Sequence, residues 1–272
     1  MSQITNPLDI YKLLPKSNCR ECDMRTCLAF ADAVIKGQKS LQACPHLNEK
    51  TVKQFGERIT TRALALEEQQ ERILEQLKKD IASVDFKSSA KRLGASVSGE
   101  KLIIKSLGKD FFVDSQGNIT SECHINTWLT IPLLNYILSC KGINPSGKWV
   151  PFRELENGRD RLPLFEQRCE KPLKKIADIH MDLFFDNVIY IFGGQPVETE
   201  FASDISLIIY PLPKVPILIS YSKPEDNGES RLNLFFDKFA EDNLNIESIH
   251  MLCTGIVAMF EKIASRHGSV NH

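Results

Sequence analysis

The stretch Cys19-Arg-Glu-Cys22-Asp-Met-Arg-Thr-Cys27, followed later by Cys44-Pro45, is the most informative part of this 272-residue chain. The four cysteines are spaced C-x2-C-x4-C-x16-C-P. Short spacers keep the first three thiolates close enough to share one metal centre, and the fourth follows a gap long enough for a helix. Four soft thiolates are the ligand set of a 4Fe-4S cluster. The spacing therefore predicts that Cys19, Cys22, Cys27 and Cys44 bind a 4Fe-4S cluster.

Two other roles for these cysteines stay open at this point. A structural zinc ion also takes four thiolates, although such sites are usually built from two C-x2-C pairs, and only one such pair occurs here. Disulfides require an oxidising compartment. The first residues carry neither the basic start nor the apolar run of a secretory signal, so we expect a cytoplasmic protein with reduced cysteines.

Composition and charge narrow the class of protein. The hydrophobic content of 42% is typical of a globular chain with a sizeable core. The 34 basic and 35 acidic residues nearly cancel, so we expect neither nucleic acid nor an anionic membrane surface as a partner. The longest apolar stretches, at 207–213 and 216–221, are interrupted by proline and are too short to span a bilayer.

Local patterns predict helices on both sides of the first three cysteines. Asn6 as N-cap and Pro7 at the first helical position begin a short helix that ends at Pro15. Thr26 caps a second helix that ends at Gly37, and the backbone amides of its first turn would face the cluster sulfurs. The apolar side chains expected to cover the cluster are those of Leu8, Tyr11, Leu13 and Leu14.

A long helix is predicted after the last of these cysteines. Apolar residues recur at three- and four-residue steps from Val52 to Val84, which indicates one continuous amphipathic helix. We expect a cluster-binding domain at 1–47, a connecting helix at 48–86 and a C-terminal domain at 87–272, with the Ser-, Lys- and Gly-rich segment 83–98 as the boundary. Self-association along the connecting helix would make a homodimer, although Gly56 and Gln70 weaken that seam.

The C-terminal part alternates between strand and helix patterns without a regular βαβ rhythm. Strands are predicted at 101–105, 111–114, 204–210, 215–221 and 232–236. Helices are predicted at 128–140, 164–180, 181–192 and 246–266. The fold class that follows is α+β, with a small helical iron-sulfur domain, a long connecting helix and a C-terminal domain built on an antiparallel sheet.

The segment from Tyr11 through Cys19 and Cys27 to Cys44-Pro45 closely resembles the iron-sulfur domain of the large subunit of the corrinoid iron-sulfur protein, over about a sixth of the chain. The resemblance implies a low-potential 4Fe-4S cluster that passes an electron to a corrinoid in the one-carbon metabolism of anaerobes. It also implies that the four cysteines are the cluster ligands. That family usually has glycine after its second cysteine, whereas this chain has Asp23, whose charge would lower the potential.

The rest of the chain resembles the C-terminal domain of an uncharacterised family of iron-sulfur proteins. The resemblance implies no activity for this part. The segments that carry it are 133–138, 146–154, 193–194, 211–216 and 236–237.

Other residues qualify as candidate ligands outside the main motif. The cysteines and histidine that would form a second metal site are Cys123, His124, Cys140, Cys169 and Cys253. Single scattered cysteines are more often small buried side chains. His124 or His180 would serve as the axial ligand of a corrinoid or haem, and the alternative for each is an ordinary surface or core histidine.

An aromatic and basic segment is a candidate site for an anionic cofactor. Trp149 and Phe152 alternate with charged residues, and Arg159 and Arg161 follow them. Stacking and charge would bind such a cofactor, whereas the simpler interpretation is a loop packed on its own domain.

Three functions remain open from the sequence, and we favour the first. In it the protein is a low-potential electron carrier that reduces a corrinoid protein or a related redox partner. In the second the C-terminal domain itself holds a corrinoid such as cobalamin. In the third the cysteines hold a structural metal in a scaffold protein. No catalytic residue is assigned, and the sequence does not decide whether the protein is an enzyme.

Overall fold

A computed structural model describes residues 4, 6–56, 58–59, 62–224 and 228–267, with the side chains of 62–67 and 266–267 left out. The chain forms two compact units, Met1–Ile73 and Leu74–His272, which are described separately below. The described residues form helices and two sheets whose strands all pair antiparallel, which confirms the α+β class. No helix in the described ranges is both long enough and apolar enough to cross a membrane.

The first unit is helical and has a small core of its own. It contains α1 (Pro7–Leu13), α2 (Cys27–Ile35), a 3-10 turn (Leu41–Ala43), α3 (Glu49–Gly56) and the first part of α4 (Arg62–Ile81). The N-cap predicted for α1 is present, because the Asn6 side chain accepts a hydrogen bond from the Leu8 N–H at 2.9 Å. Most buried side chains of this core come from α1 and its C-cap Leu14, from α2 and from the 3-10 turn. They include Ile10, Phe30, Val34 and Leu41.

Both predicted ends of α2 are confirmed. The Thr26 hydroxyl accepts a hydrogen bond from the Ala29 N–H at 3.1 Å. At the other end Gly37 has a φ of 74° and donates to Val34 O, while the next N–H, of Gln38, donates to Ala33 O at 2.8 Å. This pair of bonds is a Schellman motif, which satisfies carbonyls that the end of the helix leaves free.

The prediction of one continuous helix over 48–86 is wrong. Helix α3 ends at Gly56, α4 begins at Arg62, and the backbone at Ile59 pairs in parallel with Ile4. Glycine is a poor helix former, and the Ile4 N–H donates to Arg58 O at 2.8 Å, a contact from a distant part of the chain. The spacing of apolar residues does not distinguish one helix from two that are in phase.

The second unit begins with the end of α4 and a four-stranded sheet. After α5 (Phe86–Leu93) come β1 (Ser96–Ser98), β2 (Lys101–Ser106), β3 (Lys109–Val113) and β4 (Ile119–Thr120), an antiparallel meander in chain order. The predicted boundary segment 83–98 is therefore ordered, and Phe86 and Leu93 are buried in the core of this unit. The two units instead divide between Ile73 and Leu74, inside α4.

A second antiparallel sheet has the order β5-β9-β8-β7-β6. Its strands are β5 (Trp149–Pro151), β6 (Gln195–Pro196), β7 (Ile205–Leu212), β8 (Val215–Ser222) and β9 (Arg231–Asp237). The predicted strands at 204–210, 215–221 and 232–236 are thus confirmed, with Ile208 opposite Leu218 and Ile219 opposite Leu234. The central strand β8 is buried along nearly its whole length, because it has neighbours on both edges and is covered on both faces.

Helices pack on these sheets and complete the core. They are α6 (Thr127–Ser139), α7 (Gly158–Phe165), α8 (Lys171–Ile179), α9 (Met181–Tyr190), α10 (Ala240–Asn243) and α11 (Ile246–His267). The predicted helix at 164–180 consists of the end of α7, a π-helical turn (Glu166–Glu170) and α8. Pro172 at the start of α8 lacks the N–H that a regular α-helix would use there.

Candidate metal centre

The four predicted ligand cysteines line one small cavity in the first unit. Cys19 and Cys22 lie in the loop before α2, Cys27 is the first residue of α2, and Cys44 follows the 3-10 turn. Cys22, Cys27 and Cys44 are buried, whereas Cys19 is exposed. The fold therefore gathers side chains that are up to 25 positions apart, from 19 to 44, around one enclosed space.

The loop that carries the first two cysteines has an unusual backbone. Lys16, Asn18, Arg20 and Asp23 all have φ between 51° and 67°. Left-handed backbone is uncommon for residues other than glycine, and it lets a chain change direction sharply. The loop therefore turns several times before α2, and Cys19 and Cys22 of this loop line the cavity.

Cys19 has an environment that favours its thiolate. The pKa of this thiol is lowered, chiefly by a hydrogen bond from the Glu21 backbone N–H, with Ser17 and His46 as further donors. His46 in turn has a raised pKa, chiefly because of its hydrogen bond with Cys19 and then because of Glu21, whose carboxylate lies 3.3 Å from Nε2. The ligand atoms of Cys19, Glu21 and His46 all lie within 4.8 Å of one another.

His46 and Glu21 belong to this site, although no motif in the sequence pointed to them. Both side chains are exposed, and neither belongs to the cysteine pattern. The signal that could have identified His46 is its position directly after Cys44-Pro45, because that segment returns to the loop before α2.

The four thiolates are soft donors of the kind that both an iron-sulfur cluster and a structural zinc ion use. Among the described residues, the ligand atoms that lie within 4.8 Å of one another are those of Cys19, Glu21 and His46, so one of the four cysteines also has a histidine and a carboxylate beside it. The chemistry of this donor set fits an iron-sulfur cluster.

Two backbone amides in the first turn of α2 have partners other than the sulfurs. The Cys27 N–H donates to the Asn18 side-chain oxygen at 2.8 Å, and the Ala29 N–H donates to the Thr26 hydroxyl. These two first-turn amides are therefore already used and do not face the cavity as free donors. Asn18 was not predicted as part of the site, and its side chain ties the cysteine loop to the helix that follows.

The apolar cover of the cavity differs in part from the prediction. Leu14 lines the cavity as expected, together with Pro15, Met24, Phe30 and Pro45. Leu8 is 53% exposed, and neither Tyr11 nor Leu13 lines the cavity. The reason is the rotation of α1, which turns Ile10 and Leu14 rather than Leu8 toward the core.

The candidate residues for a second metal site do not come together. Cys140 is buried, and its thiol donates to the Asn243 side-chain oxygen at 3.3 Å. Burial raises the pKa of Cys169 to about 12 and raises that of Cys253 well above its usual value, so both are protonated. Cys123 and His124 line a separate cavity, and the five residues form no metal-binding group among the described residues.

The two histidines considered as axial ligands lie in different surroundings. His124 is exposed beside a cavity of about 160 Å³, and His180 lines an open groove between α8 and α11. Pockets for drug-sized molecules measure about 300–1,000 Å³, and a corrinoid is larger still. The cavity beside His124 is therefore too small to enclose a corrinoid ring.

The aromatic and basic segment 148–153 is not the loop that was predicted. Trp149–Pro151 forms the edge strand β5, in which Val150 pairs with Phe236 of β9. Phe152 is buried and stacks on Phe165 with ring centroids 3.9 Å apart, while Arg161 is paired with Glu247. Phe152 is thus a core residue and is unavailable for stacking on a cofactor.

Comparison with known proteins separates the chain into two parts. The family model described as "Putative Fe-S cluster" matches residues 14–46, which contain all four cysteines of the cavity. The model described as "Domain of unknown function (DUF3786)" matches residues 85–259, more than half of the chain. The comparison with solved structures found no significant match.

Curated relatives are similar to the cysteine-containing part. The corrinoid/iron-sulfur protein large subunit of Moorella thermoacetica is 52% identical over 42 residues, 15% of this chain and 9% of that protein. The gamma subunit of the acetyl-CoA decarbonylase/synthase complex of Methanocaldococcus jannaschii is 42% identical over 48 residues, 18% of this chain and 10% of that protein. The match thus spans about a tenth of the length of these relatives.

These matches confirm the two resemblances seen in the sequence, one for each part of the chain. The chain belongs to the family of the DUF3786 domain, and it carries an iron-sulfur cluster motif in front of that domain.

Proposed function

We propose that the first unit binds one 4Fe-4S cluster through Cys19, Cys22, Cys27 and Cys44, and that the protein is a low-potential one-electron carrier. The observation that carries this proposal is that the four cysteines line one cavity inside a segment that matches an iron-sulfur cluster family. A cluster of this type supplies one-electron redox chemistry at a potential set by its surroundings.

The residues around the cavity have two roles in this proposal. Leu14, Phe30 and the three buried cysteines exclude water from most of the centre. Cys19 with Glu21 and His46 forms its exposed edge, so the path from the centre to the surface is shortest there. We expect a redox partner to approach this edge.

A corrinoid protein, or a related redox partner, is the partner that we propose. The relatives that match the cysteine segment are named as subunits of the corrinoid/iron-sulfur protein and of the acetyl-CoA decarbonylase/synthase complex. This similarity supports a place in the corrinoid-dependent one-carbon metabolism of an anaerobe. We also propose that the protein is cytoplasmic. In this proposal residues 1–47 hold the cluster and the C-terminal unit docks the partner.

Metal analysis of protein purified without oxygen tests the proposal. We expect about four irons per chain, little zinc, and an electron paramagnetic resonance signal after reduction with dithionite. Cys22→Ala should abolish that signal and lower the iron content. Cys140→Ala changes another buried cysteine, outside the motif, and should keep both. Zinc without iron, or an intact four-iron cluster in Cys22→Ala, would contradict the assignment.

The choice of partner needs a separate measurement. Reduced protein mixed with a corrinoid protein should convert Co(II) to Co(I), which absorbance detects, whereas Cys22→Ala should not. Cobalamin that remains bound to the purified chain itself would instead indicate that the C-terminal unit holds the corrinoid.

A further inference from the structure

The C-terminal unit contains a cavity of about 160 Å³ that electron transfer does not use. Its walls are mainly apolar and come from β2, β3, α6, α11 and the residues after α9. An apolar cavity of about 150 Å³ is large enough to bind one benzene molecule in another protein. The size therefore suits a single aromatic ring. The main wall residues are Leu107, Phe111, Trp128, Ile191, Phe192 and Met259.

One buried polar atom of this wall has no hydrogen-bond partner among the residues that the structure describes. Ser106 is 1% exposed, and its hydroxyl makes no hydrogen bond to any of the described residues. Leaving a buried hydroxyl unpaired costs folding free energy, and such groups are rare in native proteins. Because Ser106 lines the cavity, its hydroxyl is the candidate partner for a polar group of a ligand that binds there.

A lysine faces Ser106 across the turn between β2 and β3. Ser106 and Lys109 are direct partners across the two-residue turn between β2 and β3, so their side chains project from the same face of the hairpin. Lys109 is exposed and also lines the cavity, and no ion pair within the described ranges includes it. A hydroxyl beside an ammonium group is a favourable site for a carboxylate.

The walls of the cavity are held in place by close backbone contacts. Leu107 has a φ of 47°, and its N–H donates to Tyr210 O of β7 at 2.8 Å. Trp128 packs so closely on Gly255 of α11 that a Cβ there would come within 2.0 Å of its ring. The cavity is thus preformed, and Gly255 controls where the Trp128 ring can lie.

We propose that this cavity binds a small aromatic carboxylate, with its ring against Trp128 and Phe192 and its carboxylate against Ser106 and Lys109. The site is built from the DUF3786 part of the chain alone, so it is independent of the cluster proposal.

Benzoate is the probe for this proposal, and benzyl alcohol is its neutral counterpart. Calorimetry on the full chain, purified without oxygen, should give one benzoate per chain, bound at least tenfold more tightly than benzyl alcohol, as about one charge-assisted hydrogen bond provides. Benzoate should also slow alkylation of Cys123, which is half-buried and lines the cavity. Peptide mass spectrometry follows this thiol separately from the others.

Three variants locate the binding site. Ser106→Ala should weaken benzoate about tenfold without lowering the unfolding temperature, because its hydroxyl has no partner to lose. Lys109→Gln should remove the preference for benzoate over benzyl alcohol. Gly255→Ala should displace Trp128 and abolish binding.

Ser248→Ala is the matched control, since this buried serine of α11 bonds Asn135 and does not line the cavity. It should leave the affinity for benzoate unchanged. The proposal is overturned if the wild type binds no benzoate, if benzyl alcohol binds equally well, or if both Ser106→Ala and Lys109→Gln leave benzoate affinity unchanged. If Gly255→Ala does not fold, the Ser106 and Lys109 variants still show whether benzoate binds in this cavity.

Discussion

At the scale of one residue, the backbone conformation of Asp23 explains why glycine is favoured at this position. It follows Cys22 directly and has a φ of 60°, in the left-handed region where a Cβ is unfavourable. The family that this segment resembles usually has glycine here. The requirement at this position is thus one of backbone conformation, and aspartate meets it because its short polar side chain tolerates left-handed conformations better than most.

Replacing Asp23 should therefore stabilise the folded protein. We expect Asp23→Gly to raise the free energy of unfolding by about 0.5–1 kcal/mol, because removing the Cβ outweighs the extra freedom of the unfolded glycine. The Lys39 contact, at 3.4 Å, contributes little because the Asp23 side chain is 87% exposed. Denaturant unfolding measures the change. Asp23→Asn removes only the charge, and an equal gain from it would contradict the backbone explanation.

Several hydrogen bonds together lower the pKa of the Asp178 carboxylate. It accepts hydrogen bonds from the Ser230 hydroxyl at 2.6 Å, the Tyr221 hydroxyl at 2.9 Å and the Lys174 ammonium at 3.0 Å. Burial by itself raises the pKa of Asp178, but these three donors outweigh it and hold the pKa below its usual value. The network joins α8 to β8 and to Ser230, the residue before β9.

Stability should depend on pH through this group. Because the folded pKa is below the unfolded value of about 3.9, the contribution is present above that pH and is lost as the pH falls through the folded value. We expect Asp178→Asn to lower the free energy of unfolding by about 1–2 kcal/mol at pH 7 and to differ little from wild type at pH 2. Unfolding curves at both pH values measure this. Asp186→Asn, an exposed carboxylate of α9, should show no such difference.

At the scale of elements, the two ends of α2 depend on interactions within a few residues. Thr26 caps its start, and the Schellman motif at Gly37 ends it. Such contacts are visible in the sequence because the residues that make them are neighbours. Local contacts therefore set where the helix that carries Cys27 begins and ends.

Changing the glycine at the end of α2 should destabilise the first unit. Gly37→Ala places a Cβ on a residue with φ of 74°, so we expect a loss of about 1 kcal/mol in the free energy of unfolding. Gly56→Ala is the matched control, because Gly56 lies in α3 and a Cβ there meets no atom within 4 Å. That change should be neutral or stabilising by about 0.5–1 kcal/mol. Equal losses in the two variants would contradict the role of the left-handed conformation.

At the scale of the whole molecule, the apolar side chains near the end of α4 pack into the protein's own core. We call Ile73, Leu77 and Ile81 the apolar stripe of α4. Leu77 is 8% exposed and Ile81 is fully buried, both in the core of the C-terminal unit, whereas Ile73 is 40% exposed. The buried part of the stripe is thus unavailable to a second chain. The homodimer considered from the sequence would have to use other residues of the helix.

Shortening one side chain of this stripe should show whether it packs within one chain or between two chains. Ile81→Ala should lower the free energy of unfolding by about 2–5 kcal/mol at constant oligomeric state, because it leaves a cavity in the core. Ile73→Ala should change it by about 0.5 kcal/mol or less. Chemical unfolding with light scattering measures both quantities. A change in molar mass with little loss of stability in Ile81→Ala would place the stripe between chains instead.

Features that depend on neighbouring residues were predictable from the sequence. The caps of α1 and α2, the hairpin of β2 and β3 and the strands β7, β8 and β9 all follow from short patterns. The spacing of the four cysteines likewise predicted that they would converge, and they line one cavity. Their role as ligands stays a prediction for the iron analysis to test.

The break between α3 and α4, the strand at β5 and the histidine beside Cys19 were decided only by tertiary structure. Each depends on contacts between residues far apart in the chain: Ile4 with Ile59, Val150 with Phe236, and Cys19 with His46. The sequence by itself determined the convergence of the four cysteines, the caps of α1 and α2 and the α+β class, because these depend on residue chemistry and on short-range geometry. Which surfaces meet depends on how the whole chain buries its apolar groups, and no short window of sequence contains that information.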